Sequence, residues 1–192
     1  MQKKNSMDSF SDTTGWYPDL AQCRVSPHYD ERPDPKDISL LVIHNISLPA
    51  GEFNQPYVDQ LFMGDIDDQS PKALHELIGL RVSAHFFIRR EGAIIQYVPI
   101  HHRAWHAGVS SFEGRQACND FSLGIELEGT DDIPYTSKQY EALVRLTQRV
   151  MHDCPKIKVS HIVGHRDIAP DRKTDPGDAF DWAYYLAQLE QN

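Results

Sequence analysis

The chain has 192 residues, of which 40% are hydrophobic and 24% are charged, and its formal net charge is -9. This length is typical of one domain with a sizeable buried core. The acidic balance argues against a general nucleic-acid binder and against a protein that binds anionic membranes, since both carry basic patches.

Residues 1–14 are polar and lack the apolar stretch of a signal peptide. We predict a flexible leader over residues 1–14 and a single domain over residues 15–192. The sequence contains no run of about 18 apolar residues, so we expect no membrane span. Three scattered cysteines without a CxxC pair, Cys23, Cys118 and Cys154, indicate a reducing compartment. We therefore expect a cytoplasmic protein.

The first predicted strand, Ile38–Ile43, is a short apolar run rich in β-branched residues. Its length and composition favour a buried strand over a helix. The run ends at His44, and ligands of open α/β sheets bind where the strands end. His44 is therefore a candidate site residue.

Short helices, a hairpin and a long loop are predicted next. Tyr57–Phe62 and Pro71–Ile78 have the pattern of short helices that follow or begin with a proline. Residues 85–98 predict a β-hairpin, because two apolar runs flank a tight turn that contains Gly92. Pro99–Asp120 shows little periodicity, and loops of this length inside a compact domain are usually functional or disordered.

A second buried strand is predicted over Phe121–Glu128, where apolar and other residues alternate. Because side chains alternate between the faces of a strand, Glu126 projects from the face opposite to Leu123 and Ile125. Buried glutamates are rare unless they are paired or functional. A solvated strand face shared by Glu126 and Glu128 remains the alternative.

The C-terminal part contains the clearest helix, Thr136–Asp153, which begins with a capping box of Thr and Gln. A strand is predicted over Ile157–Val163 and a last helix over Ala179–Leu189. Between them, Gly164–Gly177 is rich in turn residues and is predicted to be neither a helix nor a long strand.

Two histidines and one carboxylate are candidates for a metal site. His44 and His165 each follow a strand-like run, and Asp175 lies ten residues after His165 across the turn at Pro170. Two imidazoles and a carboxylate, with a fourth position open to water, form a known catalytic zinc arrangement. Histidines with purely structural hydrogen bonds remain the alternative.

Other polar residues have both a functional and a structural interpretation. Beside a metal-activated water, Glu126 is a natural general base. Lys173 lies two residues before Asp175 and either adds positive charge beside an oxyanion or is solvated. Arg81 either binds a substrate carboxylate or pairs with a structural acid. His106 either binds substrate or packs.

Five stretches of the chain carry a family resemblance: Leu41–Phe53, Arg81–His85, Arg103–Ser110, Asn119–Thr130 and Gly164–Gly177. They resemble, in order and with close spacing, the zinc amidase family shared with T7 lysozyme and peptidoglycan recognition proteins. The resemblance extends from about Val25 to Trp182. It is strongest to the cytoplasmic amidases of cell-wall recycling.

The resemblance implies an α/β fold with a central mixed sheet flanked by helices. It implies that His44, His165 and Asp175 hold Zn²⁺, that Glu126 is general base and then acid, and that Lys173 stabilises the transition state. The residues that it implies for the substrate cleft are Asn45, Arg81, Trp105, His106 and Ala107.

The activity implied by the resemblance is hydrolysis of the amide between 1,6-anhydro-N-acetylmuramic acid and L-alanine in muropeptides. This reaction belongs to peptidoglycan recycling and bears on β-lactamase regulation. We expect a monomer without nucleic-acid or membrane partners. The rivals are a binding module of the same fold without catalysis and a lytic amidase of intact peptidoglycan. One departure from the family is Ala117, where the family carries an arginine; Arg115 is the predicted substitute in substrate binding.

Overall fold

The computed structural model describes residues 14–190, so the predicted leader lies outside the described residues except for Thr14. The strands are β1 (Gln22–Cys23), β2 (Tyr29–Glu31), β3 (Leu40–Ile46), β4 (Phe86–Ile88), β5 (Ile94–Gln96), β6 (His102–Ala104), β7 (Ser111–Phe112), β8 (Arg115–Gln116), β9 (Ser122–Glu128) and β10 (Ile162–Gly164). The α-helices are α1 (Tyr57–Met63), α2 (Ser137–Asp153), α3 (His165–Ile168) and α4 (Trp182–Glu190). Short 3-10 helices cover Lys72–Leu77, Cys118–Asp120 and Val159–His161.

A six-stranded mixed sheet forms the centre of the fold, in the order β1-β5-β4-β9-β3-β10. Strand β4 is antiparallel to β5, whereas the neighbouring pairs β4–β9, β9–β3 and β3–β10 are parallel. Two small antiparallel ladders, β2–β6 and β7–β8, lie outside this sheet. The predicted fold class, a central mixed sheet flanked by helices, is confirmed.

The two faces of the sheet have different coverings. Alternate residues of β3 and β9, such as Ile43 and Ile125, pack with α2 and Tyr185 of α4 in the largest hydrophobic cluster. On the opposite face, Val42 packs with Phe121 and Ile168. His44 follows Val42 on this second face because strand side chains alternate. The site face of the sheet is therefore the one away from α2 and α4.

Several sequence predictions agree with the structure. Helix α2 has the predicted capping box: the Thr136 hydroxyl accepts from the Gln139 N–H over 3.1 Å, and the Gln139 side chain accepts from the Thr136 N–H over 3.1 Å. The β4–β5 hairpin, α1 and the strand that carries Glu126 also form as predicted. These elements are specified by local patterns.

Four predicted elements differ in the structure. Residues 71–78 form a 3-10 helix, and the predicted loop Pro99–Asp120 contains short strands that pair with β2 and with each other. The predicted strand Ile157–Val163 shortens to β10, because residues 159–161 form a 3-10 turn before the chain reaches β3. The last helix begins at residue 182, since the Ala179 N–H is bonded to the Asp131 carbonyl and Phe180 is buried.

The turn-rich stretch Gly164–Gly177 contains one helical turn, α3, that was not predicted. The Asp167 carboxylate accepts from the Gly164 N–H over 2.7 Å and caps this turn. None of the helices within residues 14–190 has both the length and the apolar character of a membrane span.

Candidate active site

Three side chains meet at one end of the sheet: His44, His165 and Asp175. His44 lies near the carboxyl end of β3, His165 directly follows the adjacent parallel strand β10, and Asp175 lies in the loop after α3. Nδ1 of His44 is 2.9 Å from Nδ1 of His165, and Oδ2 of Asp175 is 3.0 Å and 3.1 Å from these two nitrogens. The three residues form a candidate metal site.

Backbone contacts return Asp175 to His165 after the turn. The Arg166 N–H donates to the Asp175 carbonyl over 3.1 Å. Gly177 adopts a φ of +81°, and a Cβ there would overlap with the backbone of Asp131. A residue without a side chain is required by this close approach. These two contacts help to place the Asp175 carboxylate against the imidazoles.

The protonation of His165 follows from its neighbours. Its Nε2 lies 3.1 Å from the carbonyl oxygen of Ala107, which only accepts hydrogen bonds, so Nε2 carries the proton. In the neutral ring, Nδ1 then directs a lone pair at Asp175 and His44. The group consists of acceptor atoms that face one another.

Electrostatics favour the metal-binding forms of His44 and Asp175. Burial lowers the pKa of His44 to about 4, although the neighbouring carboxylate of Asp175 opposes this effect. Burial alone would raise the pKa of Asp175, but the adjoining imidazoles of His165 and His44 outweigh burial and hold the pKa well below its usual range. Neutral imidazoles and an ionised carboxylate are the forms that bind a metal.

Glu126 lies beside His44, because the two residues are directly paired in the parallel ladder of β9 and β3. Only 9% of the surface of Glu126 is exposed to solvent. Within residues 14–190, Oε2 of Glu126 has no hydrogen-bond partner. Burial raises the pKa of Glu126 well above its usual range, the charge of Asp175 raises it further, and the ammonium of Lys173 lowers it. This carboxyl group is poised to hold a proton.

Glu128 projects from the same strand face but has a structural role. Its Oε1 accepts from the backbone N–H of Asn54 over 2.6 Å, and its Oε2 accepts from that of Arg90 over 3.0 Å. Both carboxylate oxygens are thus occupied. The alternative of a solvated strand face is excluded, since Glu126 and Glu128 are both buried.

An open cleft of about 700 Å³ adjoins the candidate metal site. Its lining residues include Asn45, Asp131, Lys173 and Asp175. The Asn45 amide donates to Asp131 Oδ1 over 2.8 Å. The cleft therefore connects the metal site with Lys173 and Asn45, two of the predicted site residues.

Arg81 contacts Trp105 and lines a second, smaller cavity of about 220 Å³. The guanidinium of Arg81 lies over the Trp105 ring, with Cζ 5.1 Å from the ring centroid. Trp105 is fixed by its indole N–H, which donates to Asp30 over 3.0 Å, and by stacking on His28. Arg81 is exposed, so its guanidinium is accessible to a ligand.

His106 and Ala107 contact the metal site itself. Nδ1 of His106 lies 2.9 Å from Nε2 of His44. The Ala107 side chain is fully buried, and its carbonyl oxygen is the group that accepts from His165. The substrate-lining role that the resemblance implies for both residues stays a prediction.

Arg115 lies near the end of β3 opposite to His44. Its guanidinium donates to Asp37 over 2.7 Å and lies over the Phe121 ring, with Cζ 3.7 Å from the centroid. One of its nitrogens is 3.5 Å from the hydroxyl of Ser39, which directly precedes β3. His44 is five residues further along, or about 16 Å at roughly 3.3 Å per residue. We therefore remove Arg115 from the substrate-binding residues.

Sequence reasoning missed two residues that hold the segment around His106. The Asn119 side-chain oxygen accepts from the backbone N–H groups of His106 and Ala107, over 3.1 Å and 2.8 Å. Arg172 donates to the carbonyl oxygens of Ala107 and Val109 over 2.7 Å and 2.9 Å. No local pattern marks these contacts, because they join segments that are distant in sequence.

Residues 34–178 match the family described as N-acetylmuramoyl-L-alanine amidase. The chain is 59% identical over 160 residues to the 1,6-anhydro-N-acetylmuramyl-L-alanine amidase AmpD of Escherichia coli (strain K12), covering 83% of this chain and 87% of that protein. The crystal structure of a selenomethionine AmpD derivative superposes with a TM-score of 0.86 at 54% identity, covering 92% of this chain and 97% of that one.

A substrate complex is also among the similar structures. The amidase AmiD from E. coli, bound to anhydro-N-acetylmuramic acid-L-Ala-D-γ-Glu-L-Lys, has a TM-score of 0.58 at 31% identity and covers 81% of this chain and 58% of that one. The predicted resemblance is thus confirmed by sequence and by structure. The chain belongs to the N-acetylmuramoyl-L-alanine amidase family.

Proposed function

We propose that this chain is a zinc-dependent amidase that hydrolyses the bond between the lactyl group of 1,6-anhydro-N-acetylmuramic acid and L-alanine in muropeptides. The observation that carries the proposal is the group His44, His165 and Asp175 with the buried, unpaired carboxyl of Glu126 beside it. The identity of 59% with an enzyme named for this substrate supports the choice of bond.

The residues present fit zinc. Two imidazole nitrogens and one carboxylate oxygen are ligands that catalytic zinc takes, with a further position left for water or substrate. The three atoms are 2.9–3.1 Å apart, close to the separation of about 3.3 Å expected for tetrahedral ligands at roughly 2.0–2.1 Å from an ion. When bound, zinc supplies Lewis-acid chemistry, which polarises an amide carbonyl and makes water more acidic.

Glu126 carries the proton in this mechanism. It accepts a proton from the attacking water while the water oxygen bonds to the lactyl carbonyl carbon. It then donates that proton to the nitrogen of L-alanine as the C–N bond breaks, which yields a carboxylic acid and a free amine. Its raised pKa suits the second step, because the protonated carboxyl is favoured in its buried setting.

Lys173 and the cleft residues act on the substrate. The ammonium of Lys173 adds positive charge where the carbonyl oxygen becomes an oxyanion, an effect of about 10²–10³ in rate for one such donor. Asn45 in the cleft wall and Arg81 on Trp105 are the groups that we propose to contact the muropeptide. These polar contacts orient the lactyl amide.

A binding module without catalysis is the main rival. The presence of the candidate ligands together with Glu126 and Lys173 favours an enzyme, because a module that only binds needs no general base. A lytic amidase of intact peptidoglycan is the second rival. Similarity to AmpD, named for the anhydro substrate, favours the small substrate.

The test compares anhydro-muropeptide with intact sacculi as substrates of the zinc-loaded protein, and products are identified by mass spectrometry. We expect anhydro-N-acetylmuramic acid and a peptide that begins with L-alanine, with far slower release from sacculi. Equal or faster release from sacculi contradicts the proposed substrate. Binding of the muropeptide without cleavage supports the binding module.

We also propose that the protein acts in the cytoplasm as a monomer and that residues 15–192 form one amidase domain. The sequence has three scattered cysteines without a CxxC pair, a pattern that suits a reducing compartment. The amidase match over residues 34–178 and the continuous six-stranded sheet support a single domain. Sedimentation of the purified protein tests the oligomeric state.

A further inference from the structure

His106 lies behind His44, on the side away from Asp175. The two rings meet at 84° with centroids 5.0 Å apart. Nε2 of His44 and Nδ1 of His106 are separated by 2.9 Å, a hydrogen-bond distance. Only one of these two nitrogens carries the proton, and the neighbours determine which.

The ligand role of His44 fixes the direction of this hydrogen bond. Nδ1 of His44 faces His165 and Asp175, so it needs a free lone pair to bind a metal. The proton of the neutral ring is then on Nε2 and requires an acceptor. Nδ1 of His106 is that acceptor, and the remaining proton of His106 is on Nε2, 3.2 Å from the hydroxyl oxygen of Ser122.

The His106 ring packs against Gly124, which has no side chain. A Cβ on Gly124 would lie 2.6 Å from Cγ and Nδ1 of His106, so the ring occupies the space that a side chain in β9 would fill. The Asn119 side chain fixes the backbone of His106 from the other direction. Both contacts restrict the ring to a position from which it reaches His44.

Ala107, the residue after His106, contacts the other imidazole, that of His165. The carbonyl oxygen of Ala107 accepts a hydrogen bond from Nε2 of His165. In the same way, Nδ1 of His106 accepts from Nε2 of His44. A single dipeptide, residues 106–107, therefore contacts the outer nitrogen of both histidines. Arg172 and Asn119 hold this dipeptide in place.

We propose that His106 is a positioning residue of the metal centre: it accepts the Nε2 proton of His44 and so fixes the tautomer and ring orientation in which His44 binds the metal. The inference rests on the proposed zinc site. Groups that orient a metal-binding histidine contribute about 10–100-fold to metal affinity. The role differs from substrate binding, in which His106 would change KM alone.

The direct test is the protonation of both rings in the zinc-loaded wild-type protein, measured by long-range ¹H–¹⁵N correlation spectra. We expect His44 and His106 each to be protonated at Nε2 only. A proton on Nδ1 of His106 overturns the proposal. A wild-type protein that binds no zinc refutes the proposed metal centre, and this inference with it.

Two variants at the same position extend the test. His106→Leu removes the acceptor, whereas His106→Asn keeps a side-chain oxygen in reach of His44. We expect the zinc Kd, measured by competition with a chromophoric chelator, to rise about 10–100-fold in His106→Leu and far less in His106→Asn. If His106→Leu does not fold, His106→Gln replaces it, because its oxygen is displaced by one methylene group.

Matched controls separate the remaining roles. His152→Leu removes an imidazole whose side chain is 76% exposed, and its zinc Kd should equal that of the wild-type protein. A His106→Leu protein with wild-type zinc Kd and a raised KM shows a substrate contact and overturns the proposal. A lower Tm of the metal-free variant with unchanged zinc Kd shows a packing role and also overturns it.

Discussion

Replacing Glu126 by glutamine separates proton transfer from metal binding. The amide has nearly the shape of the carboxyl group but does not accept a proton from water. Glu126 is not part of the group formed by His44, His165 and Asp175. We therefore expect Glu126→Gln to bind one zinc ion per chain and to lose most of its turnover.

The magnitude follows from the role of the residue. General acid–base catalysis contributes about 10²–10⁴ in rate, and we expect kcat to fall by that factor, or about 2.7–5.4 kcal/mol at roughly 1.36 kcal/mol per tenfold. We also expect the metal-free Glu126→Gln protein to be at least as stable as the metal-free wild-type protein. Burial disfavours the ionised form of Glu126 and raises its pKa, so the metal-free wild-type protein loses stability as pH rises through that pKa. Glutamine removes this loss.

The assay follows release of the L-alanyl peptide by chromatography, together with zinc content and the Tm of the metal-free protein. Glu128→Gln is the matched control: it changes a carboxylate on the same strand face whose oxygens bind Asn54 and Arg90. We expect this control to lower Tm and to retain turnover. A folded, zinc-containing Glu126→Gln protein with wild-type kcat refutes the role of Glu126.

Further variants test the metal site, the return loop and the two arginines. His165→Ala should lower the zinc content from one ion per chain to near zero, and stoichiometric zinc in this variant contradicts the site. Gly177→Ala places a Cβ against Asp131 at a φ of +81°, and the free energy of unfolding in urea should fall by about 1–3 kcal/mol; an unchanged value contradicts the tight packing. Arg81→Ala should raise KM about tenfold or more, since a hydrogen bond to a charged group contributes about 1.5–3 kcal/mol, whereas Arg115→Ala should leave KM unchanged; the reverse result restores Arg115 to the cleft.

Local patterns were sufficient for the central elements of the fold. The alternation of Phe121–Glu128 correctly predicts a strand with Glu126 on the face opposite to Ile125, because strand side chains alternate whatever the surroundings. The Thr136 capping box correctly predicts the start of α2 for a similar reason, since its hydrogen bonds join residues only three apart.

Contacts between segments that are distant in sequence explain why some elements differ from their predicted bounds. The helix predicted from Ala179 begins at Trp182, because Ala179 bonds to Asp131 and Phe180 enters the core. Neither contact has a local signal. The strand predicted from Ile157 shortens because only residues 162–164 lie alongside β3.

In the candidate site, too, some residues could be predicted from local sequence patterns and others depend on tertiary contacts. The predicted strand ends indicated His44 and His165 as candidates. Asp175 and Lys173 were candidates because they lie close to His165 in sequence, and the resemblance implied the role of each residue. The placement of His106 behind His44 could not be predicted, since it depends on a contact across 62 residues and on the space left by Gly124. Arg115 was chosen for its proximity in sequence to Ala117, and that proximity does not decide which end of the sheet a side chain reaches.

Turnover of anhydro-muropeptide before and after removal of zinc tests the proposed mechanism most directly. One preparation is measured as purified, after treatment with a chelator and after readdition of zinc, with the metal content determined each time. We predict that one zinc ion per chain accompanies release of the L-alanyl peptide, that chelation abolishes both, and that zinc restores both. Undiminished cleavage by metal-free protein, or no cleavage by protein with one zinc ion bound, contradicts the zinc amidase assignment.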